Sequence, residues 1–107
     1  MKLPYRATTA SGEQIDVEFP LHAETGSAIR VEQMLSAILA TLDRDIGASG
    51  ETSNGDVLQA MSMALAIRAA MIHAPKRVTD PLAIDLVATA LAALEEAKRH
   101  TPLSGRA

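Results

Sequence analysis

The sequence has no cysteine and no tryptophan, and Tyr5 and Phe19 are its only aromatic residues. Without cysteine the chain forms no disulfide, thiolate metal site, iron–sulfur cluster or cysteine nucleophile. With two aromatic rings it lacks the stacking platforms that single-stranded nucleic acids require. These absences exclude thiol chemistry and make nucleic acid an unfavoured partner.

Long apolar runs are absent as well. No stretch approaches the ~20 apolar residues that cross a bilayer, and Arg68 interrupts the strongest candidate. The first ten residues, MKLPYRATTA, lack the apolar segment of a signal peptide. We therefore expect no contact with membranes and a cytoplasmic location.

The composition is that of a globular domain. Of the 107 residues, 48% are apolar and 21% are charged, which is well away from the signature of disorder. The length fits a single domain over residues 1–107. Because alanine contributes 20 of these residues and buries little area, the core depends on close helix approach and on larger aliphatic side chains.

The N-terminal region predicts a β-hairpin over about residues 4–20. Ile15, Val17 and Phe19 alternate with acidic residues, and a similar alternation precedes them, so that one face can lie on a core. Gly12 supplies the turn. An isolated hairpin is only marginally stable, so this one must pack on helices or pair with further strands.

The first helix is predicted over about residues 27–46. Seven of its apolar residues fall within an arc of roughly 140° on a helical wheel, which is typical of a core-facing stripe: Val31, Met34, Leu35, Ile38, Leu39, Leu42 and Ile46. Gly47 is expected to end it. Residues 28–32 also alternate between apolar and charged, so a short third strand there is an alternative.

Two more helices are predicted over about residues 54–74 and 81–100. The second begins at a capping box between Ser53 and Asp56. The third begins at Asp80, as an N-cap, with Pro81 in the first helical position. Residues 101–107 read as a frayed tail. The predicted fold class is α+β, mostly helical, with the N-terminal hairpin packed on a three-helix unit whose second helix is central.

The second helix carries apolar residues on nearly every side. From Val57 to Ile72 only a narrow polar stripe remains, a pattern typical of a helix shielded around most of its circumference. The first and third helices can cover one side of it, and the hairpin can cover part of the other, so that a shortfall is expected. A second copy of the chain would provide the rest, and a symmetric dimer is the commonest solution. We therefore expect a homodimer.

The loop between the first two helices resembles a calcium loop in part. Starting at Asp45, an EF-hand register places Gly50 at the sharp turn, Glu51 at the carbonyl position and Asp56 at the last ligand. Gly47 stands where a ligand is required, and the bidentate glutamate is an aspartate. We keep Asp45, Glu51 and Asp56 as weak metal candidates and expect a solvated loop, with no cofactor.

Catalytic residues are not indicated by any local motif. His73 is the one histidine inside a strong helical pattern, and Asp80 or Asp85 could orient it as a general base. Arg68 completes the set that an enzyme would use. The competing interpretation is a last-turn histidine that interacts with the helix dipole. We favour that second interpretation and lean against an enzyme.

Basic residues concentrate in the second half of the chain. Residues 57–107 carry four acidic and six basic side chains, whereas residues 1–56 carry nine and four. If the ends of helices two and three are adjacent, five of the basic residues could form one corner that contacts an anion or an acidic partner. These residues are Arg68, Lys76, Arg77, Lys98 and Arg99.

These observations favour a small, self-associating interaction or accessory protein that binds another macromolecule and is not an enzyme. The alternative is a small-molecule-binding module whose pocket is lined by Met61, Met63 and Met71, since methionine adapts to irregular ligands. An enzyme that uses His73 is the third hypothesis.

Overall fold

Residues 1–101 are described by a computed structural model in which a three-stranded antiparallel sheet is combined with three helices. This confirms the α+β, mostly helical class and the N-terminal hairpin. Residues 102–107, which hold nearly all of the predicted tail, lie outside the described residues. In chain order the elements are β1 (Lys2–Thr8), β2 (Gln14–Pro20), α1 (Ala28–Ser49), α2 (Asn54–Ala70), α3 (Lys76–Glu95) and β3 (Lys98–His100).

The hairpin follows the alternation of the sequence. In the antiparallel register, Leu3 lies opposite Phe19 and Tyr5 lies opposite Val17, so the apolar positions share one face. The turn requires Gly12, whose φ of 90° is unfavourable for residues with a side chain. The two strands therefore form as predicted, with bounds that differ by a few residues.

The first helix begins with a side-chain cap at Ser27. The Ser27 hydroxyl accepts a hydrogen bond of 3.1 Å from the Arg30 N–H, so residues 28–32 are helical and the strand alternative is wrong. The helix continues through Gly47, because one glycine costs only ~1 kcal/mol in a helix. It ends at Gly50, which has a φ of 86°.

The third helix begins at Lys76 rather than near residue 81. The carbonyl of Pro75 accepts from the Val78 N–H at 2.9 Å and thereby starts the helix. Pro81 is consequently an interior residue, and its missing N–H costs one helical hydrogen bond. Asp80 is not an N-cap; its carboxylate pairs with Lys76 one turn earlier.

The predicted end of the third helix at residue 100 is also wrong. The helix ends at Glu95, and Lys98–His100 forms the third strand beside β2, with Lys98 opposite Asp16. Opposite charges on facing residues stabilise such a pair. The short strand therefore depends on a partner far away in the sequence.

The packing order places α3 between the sheet and α2. Helix α3 contacts β2 on one side and α2 on the other, whereas α1 packs against β1 only. A hydrogen bond of 2.9 Å between the Tyr5 hydroxyl and Ser36 Oγ links β1 with α1. The prediction that the second helix is central is confirmed only in part, because it packs on α3 but α3 occupies the middle.

The buried core of the described residues is small. Leu3 and Val17 are the buried apolar side chains, and Thr79 is the buried polar one. The radius of gyration is 15.8 Å, against ~13 Å for a compact chain of this length. The helices therefore keep much of their apolar surface exposed.

Candidate interaction surface

A groove of about 550 Å³ runs between α2 and α3. Its lining is apolar in the middle, and the polar side chains Ser62, Lys76 and Asp80 lie along it. Because the alanines on both helices have short side chains, a third helix could approach the groove closely. The apolar lining consists of Leu65, Ala66 and Ala69 from α2, and Ala83, Ile84, Val87, Ala88 and Leu91 from α3.

One wall of this groove is an amphipathic stripe without a partner. Ile84, Val87 and Leu91 recur at helical spacing and are 70%, 40% and 66% exposed. Together with Leu94, these positions form the stripe that helical periodicity in the sequence predicts to face a core. In the single chain the stripe instead faces the open groove, so most of the side-chain area of Ile84 and Leu91 is not buried in the monomer.

The opposite side of α2 is exposed too. Met63, Ile67 and Met71 lie away from the groove and are each more than half exposed. The single chain therefore does not provide the shielding that was expected between Val57 and Ile72. Met61, 160° round the helix from Met63, lies on a different side. The three methionines do not line the groove, so it is not the methionine-lined pocket of the alternative hypothesis.

Charges mark the two ends of the α3 stripe. Lys76 and Arg77 lie in the first turn of α3, where Lys76 pairs with Asp80. Glu95 is the last residue of the helix and is exposed. Within residues 1–101 neither Arg77 nor Glu95 forms an ion pair. The groove thus has an unpaired cation near one end and an unpaired anion near the other.

The candidate catalytic residues are not brought together. His73 is exposed in the turn between α2 and α3, and Asp80 is paired with Lys76. Asp85 lines a different cleft, on the sheet side of α3. Sequence proximity suggested a His–Asp pair, but the three side chains lie in separate environments.

That cleft, of about 210 Å³, brings together residues that sequence reasoning did not associate. His22, Asp85 and Thr89 all line it. The Nδ1 atom of His22 accepts a hydrogen bond of 3.0 Å from the Glu24 N–H, which fixes the ring. Within the described residues no hydrogen bond joins His22, Asp85 and Thr89, so they do not form a proton relay. No spacing in the sequence signals their approach.

A polar cluster lies on the sheet. Asp16 accepts two hydrogen bonds from Arg6, at 2.6 and 2.9 Å, and lies 3.0 Å from His100 Nε2. The hydrogen bonds from Arg6 hold the pKa of Asp16 at about 2, and the same contact raises the pKa of Arg6. The three side chains span all three strands, so this cluster ties β3 to the hairpin.

The acidic residues considered for calcium do not converge. Asp45 lies inside α1 and Asp56 inside α2, while Glu51 lies in the short connection between the helices. Because both helices extend into the predicted loop, the loop has only four residues, Gly50–Ser53. No group of three or more metal-ligating side chains occurs in residues 1–101.

The five basic candidates lie at two separate places. Arg68 contacts Met71 near the end of α2, and Lys76 and Arg77 begin α3 nearby. Lys98 and Arg99 are in β3, beyond the other end of α3 and ~30 Å away at 1.5 Å per residue. Arg99 also pairs with Glu13 at 3.3 Å. The two groups therefore do not form the single corner considered above.

In the part of the chain that is described, none of the helices has both the length and the hydropathy needed to cross a bilayer. Comparison with known proteins gives no match to a family model, to a curated protein or to a solved structure.

Proposed function

We propose that this protein is a small, non-enzymatic interaction protein that works as a homodimer, with the groove between α2 and α3 in the interface. One observation carries the proposal: the apolar faces of both helices are open in the single chain. Ile84 and Leu91 are each about two-thirds exposed, although large apolar side chains gain ~1.5–3 kcal/mol on full burial.

The exposed area supports the same proposal. The chain has 8380 Å² of accessible surface, whereas a compact monomer of 11.3 kDa exposes ~5,700 Å². The excess is more than three times the ~800 Å² that each partner buries in an interface of standard size. An obligate dimer accounts for an excess of this size, because such interfaces resemble a domain core cut in half.

The test is the molar mass of the protein over a wide range of concentrations, measured by light scattering after size exclusion. We expect twice the mass of the chain at high concentration and a Tm that rises with concentration, since unfolding is then coupled to dissociation. A mass of 11.3 kDa at every concentration, with a constant Tm, would overturn the proposal.

A small ligand is the second candidate for the groove. Its volume of about 550 Å³ lies within the range of ligand sites, and Lys76 near one end could bind a carboxylate. Octanoate serves as a probe. If the groove is a ligand site, octanoate raises the Tm of the monomeric fraction at low protein concentration. If octanoate leaves the Tm of that fraction unchanged, the groove is not a site for a ligand of this kind.

Two further expectations remain predictions from the sequence. The cytoplasmic location is checked by cell fractionation. A protein partner of another kind would have to bind a surface that the dimer leaves free, and the far side of α2, with Met63, Ile67 and Met71 each more than half exposed, is such an apolar surface.

A further inference from the structure

The charges of α3 are placed against its own dipole. The helix has no acidic residue in its first turn and no basic residue in its last turn. Instead it begins with Lys76 and Arg77 and ends with Glu95. A helix dipole favours anions at the N-terminus and cations at the C-terminus, so the arrangement is unfavourable within one helix. It becomes favourable beside an antiparallel copy.

The unpaired charges and the apolar stripe share one face. At about 100° per residue, Arg77, Ile84, Ala88, Leu91 and Glu95 lie within an arc of about 60°. Ile84 and Leu91, in the middle, are the most exposed apolar residues of the helix. From the N-terminus of α3 to its C-terminus, this face therefore carries a basic residue, then apolar residues, then an acidic residue.

We propose that the dimer is formed by antiparallel pairing of α3 with α3 of the partner subunit, with Arg77 next to Glu95 of the partner subunit at both ends. This inference rests on the proposed self-association and specifies its geometry. A parallel pair would place each charge next to its own copy, where like charges repel.

The register follows from the stripe. A two-fold axis between Val87 and Ala88 sets Ile84 level with Leu91 of the partner subunit, and the reverse contact follows by symmetry. In that register Arg77 is offset from Glu95 of the partner subunit by three residues, or ~4.5 Å along the axis, which an arginine side chain spans. The apolar residues at the centre and the two ion pairs at the ends can therefore form in the same register.

The groove fits this occupant. Each copy presents the Ile84 and Leu91 ridge, and each offers a trough walled by Ala66 and Ala69 of α2. Ridges that pack into grooves between small residues give close helix contacts. The ridge of one copy therefore fills the trough of the other, and the same residues contribute to both sides.

A charge-swap series tests the ion pairs by sedimentation velocity at low salt. We expect Arg77→Glu and Glu95→Arg each to weaken dimerisation by about tenfold or more, since each variant creates two like-charge contacts. The double variant R77E/E95R restores the pairs with reversed sign and is expected to return to within about threefold of the native Kd. Circular dichroism verifies that each variant keeps its helices.

Disulfide trapping tests the axis independently, and the absence of native cysteine makes it specific. Ala88→Cys places two thiols next to the proposed axis, so mild oxidation should give a covalent dimer. Ala92→Cys is the matched control: it is an exposed alanine on the same helix, but the two copies would be ~13 Å apart along the axis. It should remain monomeric on a denaturing gel.

The outcomes separate the two proposals. If the native protein is monomeric throughout, the proposed self-association fails and the antiparallel geometry fails with it. If it dimerises but R77E and E95R leave the Kd unchanged, or Ala92→Cys cross-links and Ala88→Cys does not, the antiparallel pairing is wrong while self-association stands.

Discussion

Replacing Ile84 with alanine tests the interface by removing apolar atoms without introducing charge. In the single chain Ile84 is 70% exposed, so a monomer should lose little stability. Ile29 is the matched control: it is the same residue type, is 71% exposed and lies on α1, which packs only on β1. Both substitutions replace a β-branched residue with alanine in a helix; the gain in helix propensity applies in full only to Ile84, because Ile29 lies in the first turn of α1.

The expected effect follows from the exposed fraction. Isoleucine to alanine removes three carbon groups, worth ~2.4 kcal/mol at ~0.8 kcal/mol each. Because a partner can bury only the part that is exposed, the loss is about 1.7 kcal/mol per copy and about 3.4 kcal/mol per symmetric dimer. At ~1.4 kcal/mol for each factor of ten, the dimer Kd should rise about 300-fold.

Sedimentation equilibrium of the native protein and of both variants measures this change. We expect Ile84→Ala to shift the monomer–dimer midpoint strongly and Ile29→Ala to shift it by less than about threefold. A Kd for Ile84→Ala that equals the native value would contradict the reasoning, because the side chain would then be exposed in the dimer too. An equal shift in both variants would point to a general effect of exposed apolar area.

Two further predictions concern the fold of the single chain. The pKa of Asp16 is lowered in the folded state to about 2, so the contribution of Asp16 to stability is present above pH ~4 and is lost as the pH falls towards 2. Asp16→Asn should therefore flatten that part of an acid-unfolding curve followed by circular dichroism. Gly47→Ala should raise the free energy of unfolding by ~0.5–1 kcal/mol because Gly47 is helical and its surroundings are open, whereas Gly50→Ala should lower it by roughly 1 kcal/mol because Gly50 has a φ of 86°. Urea unfolding at one fixed protein concentration compares the two variants. Equal effects would contradict the assignment of the helix end.

Local signals predicted much of the fold. The Ser53 side chain caps the second helix as its spacing to Asp56 predicts, because the hydroxyl reaches an N–H three residues later and this information is contained in a few adjacent residues. The alternation over β2 likewise fixes which side chains share a face. Signals of this kind do not depend on the rest of the chain, so they are readable without it.

The errors arose where the structure depends on distant partners. Lys98–His100 has no apolar alternation and becomes a strand only because β2 offers a free edge and Asp16 offers a carboxylate. Pro81 after Asp80 is a strong helix-start signal, yet Pro75 starts the helix earlier and leaves Pro81 inside it. A periodic stripe such as that of Ile84 and Leu91 shows that a face is meant to be buried, but not whether its partner belongs to the same chain.

Whether the partner of the stripe belongs to the same chain or to a second copy also affects how the protein folds. The buried apolar residues of the described chain, Leu3 and Val17, both belong to the sheet, so the helices have almost no core of their own. In proteins most of the stability of a helix comes from the packing of its apolar face. If the α3 faces of two copies complete that packing, the helical unit forms fully only on association, and the stability of this protein is then inseparable from its concentration. On this proposal the exposed stripe is one half of a core, and dimerisation is the final step of folding.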